Sequence, residues 1–502
     1  MGRRWTALSG EEWWGSNRPG TEAILRRMEL VPGALNFPAG SIYWLKPLVI
    51  GMIRALKLDR AVFEAERGQV DGTLAHAFER ALGTLVGAAG MELRETAELL
   101  PQTRKASLMK PRYVSAFYLP QFHPTPQNDA WWGAGYSEWR ACTTAASMYP
   151  GHLQPMRPGA LGYYDLRATE VMGAQGALAK AAGVDGFCVY HYWFDPARLL
   201  ETPMEKLLTR PDIDFPFYLC WANEPWRRNW DGLSGEILMP QDYRDGFEAR
   251  LVASTLPYMR DPRYQRPDGQ RPRFVIYRPG EMPDPTASIK RMRAAWRKAG
   301  IGEVELGAVH FHVKDRSEVP RGAVDFWVEM PPHGLVKGED YLFGGPGGNR
   351  MGTASPATDF GGLIYDYAAV ATRAVSRGYR AGLPEQTIAG IMPAWDNTAR
   401  RGPKGHIAYG ANPARFRRWL RDLARLRLAG SYRGELMINA WNEWAEKAVL
   451  EPSETFGRMY LDVLAELCAP KPSFGVSESE PALCTVLPPP ETAPGREASW
   501  HG

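Results

Sequence analysis

Eight short apolar runs recur between residues 113 and 440, and most are separated by a segment long enough for a helix. Strands that alternate with helices build parallel sheets, because each crossover helix returns the chain to the same edge of the sheet. Eight such units are also the number that closes a barrel. The sequence therefore predicts an α/β fold of the (β/α)8 TIM-barrel class. The predicted strands are Tyr113 to Leu119, Gly186 to His191, Phe217 to Trp221, Phe274 to Tyr277, Val304 to Phe311, Asp325 to Met330, Thr387 to Pro393 and Leu436 to Ala440.

Polar and aromatic side chains crowd the ends of these predicted strands. Active sites of (β/α)8 barrels lie at the carboxyl ends of the strands, so these positions are the first candidates for a functional site. They are Gln121, His123, His191, Tyr192, Trp193, Asn223, Glu224, Trp226, Tyr277, Arg278, His310, His312, Glu329, Trp395, Asp396, Asn397, Asn442, Glu443 and Trp444.

Two carboxylates three residues apart, Glu443 and Glu446, follow the last predicted strand. If the turn after the strand is helical, their side chains lie on one face about 5–6 Å apart, near the separation that retaining glycoside hydrolysis uses. Such chemistry needs one acid to protonate the leaving oxygen and a second group at the anomeric carbon. The alternative is a pair of solvated charges in the first turn of a helix. The flanking Trp441, Asn442 and Trp444 favour the catalytic interpretation.

Two further clusters combine aromatic planes with hydrogen-bonding groups, one from Tyr118 to Trp139 and one from Cys220 to Gly232. The alternatives are that the tryptophans only pack a long loop and that Glu224 pairs with Arg227 or Arg228. We predict that the substrate-binding residues are Tyr118, Gln121, His123, Trp132, Glu138, Trp139, His191, Tyr192, Trp221, Asn223, Glu224, Trp226, Glu329, Trp395, Asp396, Asn442 and Trp444.

Composition excludes several other classes of protein. The 60 basic and 56 acidic residues nearly balance and form no long basic block, which argues against nucleic acid as a partner. The five cysteines are widely spaced and form no CxxC pair, so neither a disulfide framework nor a zinc site is predicted. We expect no metal and no cofactor. With no apolar stretch long enough for a signal or a membrane span, we expect a cytoplasmic protein, with peripheral association at the inner membrane as an option.

Three segments differ in composition. Residues 1–110 have mostly helical spacing and end in the basic, proline-containing stretch Arg104 to Pro111, which is typical of a linker. Residues 111–469 contain the predicted barrel. Residues 470–502 are rich in Pro, Glu and Ser and bury too little apolar surface to fold, so a disordered tail is predicted.

The motifs Phe117 to His123, Gly186 to Phe194, Trp221 to Glu224 and Trp441 to Glu446 resemble those of the WbsX family of polysaccharide-locus proteins. That family is in turn similar to glycoside hydrolase family 99, whose (β/α)8 barrels act on α-mannosidic linkages through an E-x-x-E pair. The resemblance implies that Glu446 is the general acid/base. It also implies that Glu443 deprotonates the 2-hydroxyl of the sugar, so that an anhydro sugar forms and configuration is retained.

The sequence departs from the family pattern after the second glutamate, where Lys447 replaces the usual Gly. A cation beside Glu446 would lower the pKa of that acid and weaken proton donation, unless Lys447 points away. The N-terminal segment has a resemblance of its own. Phe37 to Trp44 and Gln69 to Arg80 are similar to the C-terminal end of the rhamnan-synthesis F family, which implies a truncated module without its own catalysis.

Together these features predict a carbohydrate-active enzyme of bacterial surface-polysaccharide biosynthesis, acting on lipopolysaccharide O-antigen, capsule or exopolysaccharide. Its activity would be that of a glycosyltransferase, a transglycosidase or an endo-type glycoside hydrolase, with an oligosaccharide or lipid-linked glycan as substrate. Association with other polysaccharide-assembly enzymes is an expected partnership. The alternative is a non-catalytic glycan-binding or scaffold protein, which Lys447 and the truncated N-terminal segment motivate.

Overall fold

Eight parallel strands close into a barrel in this computed structural model, which describes residues 7–38, 43–65, 67–69, 71–94, 108–228, 235–311, 319 and 322–469. The closure is complete because the first strand pairs with both the second and the last. The predicted tail, residues 470–502, lies outside the described residues. The strands are β1 Val114–Tyr118, β2 Gly186–Trp193, β3 Phe217–Trp221, β4 Arg273–Ile276, β5 Glu305–His310, β6 Phe326–Glu329, β7 Thr387–Ile391 and β8 Leu436–Ile438.

Each of the eight apolar runs forms one barrel strand, in the order in which they occur in the chain, so the predicted (β/α)8 class is confirmed. Short strands decorate the barrel. Arg198–Leu199 pairs with β2, Ala7–Ser9 with Asn36–Pro38, Trp226–Arg227 with Ile237–Met239, and Asn442–Glu443 with Ala448–Val449; Tyr341–Phe343, Leu363–Asp366 and His406–Tyr409 form a small sheet.

Helices surround the barrel, and their termini follow local sequence signals. Asp284 and Asn412 accept hydrogen bonds from backbone N–H groups of the first turn, and a proline follows each of them in the chain. The helices are α1 Arg18–Arg26, α2 Pro47–Ala55, α3 Leu74–Ala88, α4 Pro126–Trp132, α5 Trp139–Thr144, α6 Thr169–Ala182, α7 Thr202–Leu208, α8 Phe247–Met259, α9 Pro285–Lys298, α10 Tyr367–Ala374, α11 Arg377–Ala381, α12 Thr398–Arg401, α13 Pro413–Leu426 and α14 Met459–Leu467.

Single turns of 3-10 helix complete the description, at Glu11–Asn17, Arg60–Val62, Pro279–Glu281, Gly338–Asp340, Gly352–Ala354, Gly402–Lys404, Leu428–Gly430, Tyr432–Gly434 and Trp444–Glu446. Within the described ranges, no helix has the length and apolar character needed to cross a membrane.

The described part of residues 1–110 packs onto the barrel. Helices α2 and α3 contact α13, and Leu25, Met52 and Leu85 are fully buried in the same hydrophobic core as the barrel strands. Burial of large aliphatic side chains contributes about 1.5–3 kcal/mol each, so this contact is held by ordinary apolar packing. The proposed relation of this segment to the rhamnan-synthesis F family stays a prediction.

Side chains of the strands alternate between the barrel interior and the surrounding helices, as the pleat requires. On β2, Tyr190 stacks on Phe117 at 5.6 Å between ring centroids. Phe187 lies three positions earlier on the same strand and faces the other side, where its ring packs against Phe215 with 4.4 Å between centroids. This alternation decides which of the predicted site residues can reach the barrel mouth.

Candidate active site

The turn after β8 places both glutamates of the E-x-x-E motif on one side. Trp444–Glu446 is a single 3-10 turn with Glu443 at its N-terminal boundary. Residues three apart eclipse each other in 3-10 geometry, so the two carboxylates face the same direction. Both accept a hydrogen bond from one guanidinium: Arg400 Nη2 donates to Glu443 Oε2 at 2.9 Å and Nη1 donates to Glu446 Oε1 at 2.6 Å.

A third carboxylate completes this cluster. Arg400 Nε donates to Glu138 Oε1 at 2.6 Å, and the Glu138 side chain is fully buried. Arg400 comes from α12, which follows β7, whereas Glu138 immediately precedes α5. Three separate parts of the chain therefore meet at one cation. We call Glu138, Arg400, Glu443 and Glu446 the mouth cluster.

Burial controls the charges of the mouth cluster. It raises the pKa of Glu443 and of Glu446 above the usual range, and the neighbouring negative charge of Glu138 adds to the rise, while Arg400 opposes it. Burial alone would lower the pKa of Arg400, but the surrounding carboxylates hold that pKa well above its ordinary value. Acids with raised pKa values beside a fixed cation can donate and accept protons near neutral pH.

The buried lysine that departs from the family pattern acts on a different acid. Lys447 has a left-handed backbone (φ 56°) at the end of the Trp444–Glu446 turn. Its charge contributes to lowering the pKa of Asp396, together with the closer His152. The charged groups that shift the pKa of Glu446 are Arg400 and Glu138. Lys447 is not among the charged groups that shift the pKa of Glu446.

Asp396 supports the cluster from below. Its Oδ2 accepts from Gln154 Nε2 at 2.9 Å and lies 2.7 Å from His152 Nε2, and its Oδ1 accepts from the Thr398 hydroxyl at 2.7 Å. Its backbone N–H donates to the carbonyl of Glu446 at 2.7 Å. Asp396 therefore links the start of α12 to the turn that bears Glu446, rather than offering a free carboxylate to a substrate.

Aromatic side chains stand beside the mouth cluster. Burial raises the pKa of the Tyr192 phenol, and the negative charges of Glu443 and Glu138 add to the rise. The Tyr192 ring lies 5.3 Å from that of Trp226. Trp226 also lies 5.8 Å from Trp131. All three rings are only partly buried. Such planes can stack on the C–H faces of a sugar ring, so Tyr192 and Trp226 remain good candidates for substrate binding.

A second ion pair lies on the rim. Glu224 forms a short ion pair with Arg278, and the Glu224 side chain is 40% exposed. Burial raises the pKa of the Tyr277 phenol well above its ordinary value, and the charges of Glu224 and Glu446 add to the rise. The alternative partners Arg227 and Arg228 instead contact residues near 235, such as Glu236.

Three of the predicted binding residues point away from the mouth, toward the surrounding helices. The hydroxyl of Tyr118 donates to Gln175 of α6 at 2.8 Å. His191 lies 3.0 Å from the Ser254 hydroxyl of α8, and burial lowers its pKa to about 3. Trp221 is fully buried, and its indole donates to the carbonyl of Trp193. Pleat alternation sends these side chains into the core between strands and helices.

Three further predicted residues form hydrogen bonds or an ion pair within the protein. Asn442 accepts from Leu119 N at 2.8 Å and donates to Leu119 O at 3.0 Å, which ties the end of β8 to the end of β1. Asn223 makes the corresponding pair of bonds with the backbone of Arg278. Glu329 pairs with Arg427 in the core. These contacts position the rim.

The remaining predicted residues make other packing contacts. His123 and Gln121 are buried, and burial lowers the pKa of His123 to about 4. The ring of Trp139 lies 5.6 Å from that of Trp444, the residue after Glu443. Trp132 carries the guanidinium of Arg228 over its ring at 5.1 Å, and Trp395 packs edge-on to His333 at 5.5 Å.

Two residues of this region were absent from the sequence prediction. Arg400 gave no signal beyond its place after the Trp395 to Thr398 motif. Glu451 is buried and accepts four hydrogen bonds, from the indoles of Trp441 and Trp444, the amide of Gln175 and the hydroxyl of Tyr164. Burial raises the pKa of Glu451 to about 7, although the four hydrogen bonds favour the ionised form and oppose the rise. Glu451 thereby fixes the two tryptophans that flank the glutamate pair.

No group of three or more His, Cys, Asp or Glu side chains in the described ranges has an arrangement that could hold a metal ion.

A closed (β/α)8 barrel with clustered acids and aromatic rings at the carboxyl ends of its strands defines the class of barrel enzymes. The sequence model of the glycosyltransferase WbsX family matches residues 114–464, which is most of the chain. The chain belongs to the WbsX glycosyltransferase family.

Relatives and solved structures with similar folds were found. An uncharacterized protein WxcX of Xanthomonas campestris pv. campestris strain B100 is 38% identical over 392 residues, and WxcX of strain ATCC 33913 is equally identical. Those residues are 77% of this chain but 53% of WxcX, so the chain spans about half the length of the curated relatives it matches.

Among solved structures, a glycoside hydrolase-like protein is 16% identical, with a TM-score of 0.49 over 74% of this chain and 98% of its own. A GH99 endo-alpha-mannosidase from Bacteroides thetaiotaomicron is 13% identical, with a TM-score of 0.41 over 71% of this chain and 96% of its own.

Proposed function

We propose that the chain is a retaining carbohydrate-active enzyme of bacterial surface-polysaccharide biosynthesis, which breaks and forms glycosidic bonds with Glu443 and Glu446. The observation that carries this proposal is that both carboxylates meet one guanidinium at the mouth of the barrel. Membership of the WbsX family supports a role in polysaccharide assembly. The product is lipopolysaccharide O-antigen, capsule or exopolysaccharide, and the acceptor is either a sugar hydroxyl or water.

In this proposal the pair carries one proton, which Glu446 holds. Glu446 gives that proton to the leaving oxygen while Glu443 takes the proton of the 2-hydroxyl, and the freed oxygen attacks the anomeric carbon to form an anhydro sugar. Glu446 then takes a proton from the acceptor, which opens the anhydro ring, and Glu443 returns its proton to the 2-oxygen. Two inversions at the anomeric carbon give net retention. The raised pKa values of the two acids are consistent with a proton retained by the pair near neutral pH.

The substrate is proposed to be an oligosaccharide or lipid-linked glycan that lies across the mouth. Tyr192 and Trp226 provide stacking surfaces, while Glu224 and Arg278 can bind sugar hydroxyls at the rim. The protein would act on the cytoplasmic side, beside other polysaccharide-assembly enzymes and peripherally at the inner membrane.

The test is turnover of a lipid-linked oligosaccharide by Glu446→Gln, because the amide keeps the shape of the acid but has no proton to donate. We expect turnover to fall about 10²–10⁴-fold, the usual contribution of a general acid, with glycan binding retained. Arg401→Met is the control, since Arg401 is the exposed neighbour of Arg400.

Unchanged turnover in Glu446→Gln would exclude the catalytic assignment. If the unaltered protein binds the glycan and turns over none of it, the alternative of a non-catalytic glycan-binding protein replaces the proposal.

A further inference from the structure

Arg400 is held by three acids that come from other parts of the chain. Three of its nitrogens donate to Glu138, Glu443 and Glu446 at 2.6, 2.9 and 2.6 Å, and its side chain is 13% exposed. A guanidinium is a rigid plane with donors at fixed angles, so three simultaneous bonds define both its position and that of its partners. Glu138 approaches through Nε, whereas the E-x-x-E pair occupies the two terminal nitrogens.

The hydrogen bonds divide each glutamate of the pair into a held oxygen and an open one. Glu443 uses Oε2 and Glu446 uses Oε1 to accept from Arg400. Neither of these two hydrogen bonds uses Glu443 Oε1 or Glu446 Oε2. Since an ionised carboxylate can accept at both oxygens, one oxygen of each acid is left for a substrate while the other fixes its orientation.

We propose that Arg400, anchored by Glu138, is the positioning residue that sets the relative orientation of the Glu443 and Glu446 carboxylates and balances their charge. The inference rests on the proposed function for its catalytic meaning, since it is the glycosidic step that needs two acids aimed at one sugar. Arg400 itself touches no reacting atom in this proposal.

Other titratable groups also face the pair, and their protonation does not change over the relevant pH range. The phenols of Tyr190 and Tyr192 and the thiol of Cys142 lie near Glu443, while those of Tyr277 and Tyr365 lie near Glu446. Burial raises the pKa of each of them well above its ordinary value, so they stay neutral.

Charged neighbours outside the cluster are the buried Asp396, whose backbone N–H bonds to Glu446, and Lys447, whose charge acts on Asp396. They contribute a nearly fixed background, because Asp396 has a lowered pKa and stays ionised. Arg400 and Glu138 are therefore the groups whose removal should change the titration of the pair, and in opposite directions.

The test follows the carbonyl stretching bands of protonated carboxylic acids by infrared spectroscopy as pH is raised. Glu443→Gln and Glu446→Gln identify the two bands by difference. In Arg400→Met the loss of the cation should move the titration of both acids upward by about 1–3 pH units. In Glu138→Gln the loss of a negative neighbour should move it downward. Arg401→Met, which removes the same charge one residue away, should leave it unchanged.

Opposite shifts in Arg400→Met and Glu138→Gln support the proposal, and no shift in either overturns it. Three uncompensated buried carboxylates can prevent Arg400→Met from folding. Glu138→Gln then decides alone, because its amide still accepts from Arg400, and an unmoved titration contradicts the proposal.

The spectroscopic readout separates this inference from the proposed function. A protein that shows both shifts but turns over no glycan retains the positioning role of Arg400 and loses the enzymatic proposal. If turnover is present, Arg400→Lys should keep substrate binding and lower kcat, because a lysine keeps the charge but cannot make three bonds in one plane. Full kcat in a correctly folded Arg400→Lys would overturn the positioning role.

Discussion

At each end of the barrel an arginine binds several carboxylates, and the two clusters differ in how completely their acids are satisfied. At the closed end, Arg273 is fully buried, donates to Glu435 through two nitrogens at 2.6 and 3.0 Å, and donates to Glu305 at 2.8 Å. Glu305 also accepts from the Tyr432 hydroxyl at 2.9 Å. At the mouth, Arg400 gives the glutamate pair one hydrogen bond each.

The surroundings of the two arginines differ as well. Aromatic rings of Tyr113, Tyr218 and Phe326 enclose the Arg273 guanidinium, with the Phe326 ring centroid at 4.6 Å. Glu446, by contrast, keeps 20% of its side chain exposed. A saturated, dry ion cluster can only hold strands together, whereas an unsaturated cluster at an open mouth retains hydrogen-bonding capacity for a ligand. The same chemistry therefore serves structure at one end and, as proposed, reaction at the other.

The largest expected effect is on stability at the closed end. Arg273→Met removes the cation that binds buried Glu435 through two nitrogens, while Glu305 keeps its 2.9 Å ion pair with Arg433, and the free energy of unfolding should fall by about 3–5 kcal/mol. Urea denaturation followed by circular dichroism measures it. Arg297→Met is the matched control, because Arg297 forms only an exposed ion pair with Glu303 and should change stability by about 0–1 kcal/mol. Equal losses in the two variants would show that the closed-end cluster is not a structural brace.

An intermediate effect is expected at Glu451, the saturated acid next to the mouth. Its pKa is raised to about 7 in the folded protein, so folding favours the protonated form. Protonated Glu451 therefore makes its full contribution to the free energy of unfolding below the usual glutamate pKa of about 4.3. This contribution declines by about 2–3 kcal/mol as pH rises to about 7. Glu451→Gln cannot ionise and should lack this part of the decline. Denaturation midpoints across this pH range measure it, and identical pH slopes in both proteins would contradict it.

The third effect is expected from Glu443 at the mouth. Burial raises its pKa to about 8, although Arg400 opposes the rise, so its ionisation weakens the folded state as pH rises above the usual glutamate range. Glu443→Gln cannot ionise and should therefore reduce the alkaline decline in stability. Unfolding free energies at about pH 5 and about pH 9 test this. A larger decline in the variant would mean that ionised Glu443 stabilises the fold and that the mouth resembles the closed end.

The barrel could be predicted because strand and helix periodicity is a local property of the sequence. All eight apolar runs became strands, and β8 does end just before Glu443. The E-x-x-E spacing led to the expectation of two acids on one side, and in the structure a single 3-10 turn separates them. Family membership followed from the motifs and was confirmed.

The detailed site was harder to predict because the direction of each side chain depends on strand register. Tyr192 reaches the mouth cluster while His191, one residue earlier, points to α8. Nothing local to Arg400 or Glu138 indicates that they meet, since 262 residues separate them in the chain. Long-range ion pairs of this kind come from tertiary packing.

The clasp between Asn442 and Leu119 joins residues 323 positions apart, immediately before the first catalytic candidate. A chain still emerging from the ribosome lacks this clasp until its last barrel strand is complete. The two acids are therefore aimed only when the ring of strands has closed. An incomplete or nicked barrel that has lost β8 also lacks the acid pair, so the proposed chemistry would begin only in a finished barrel.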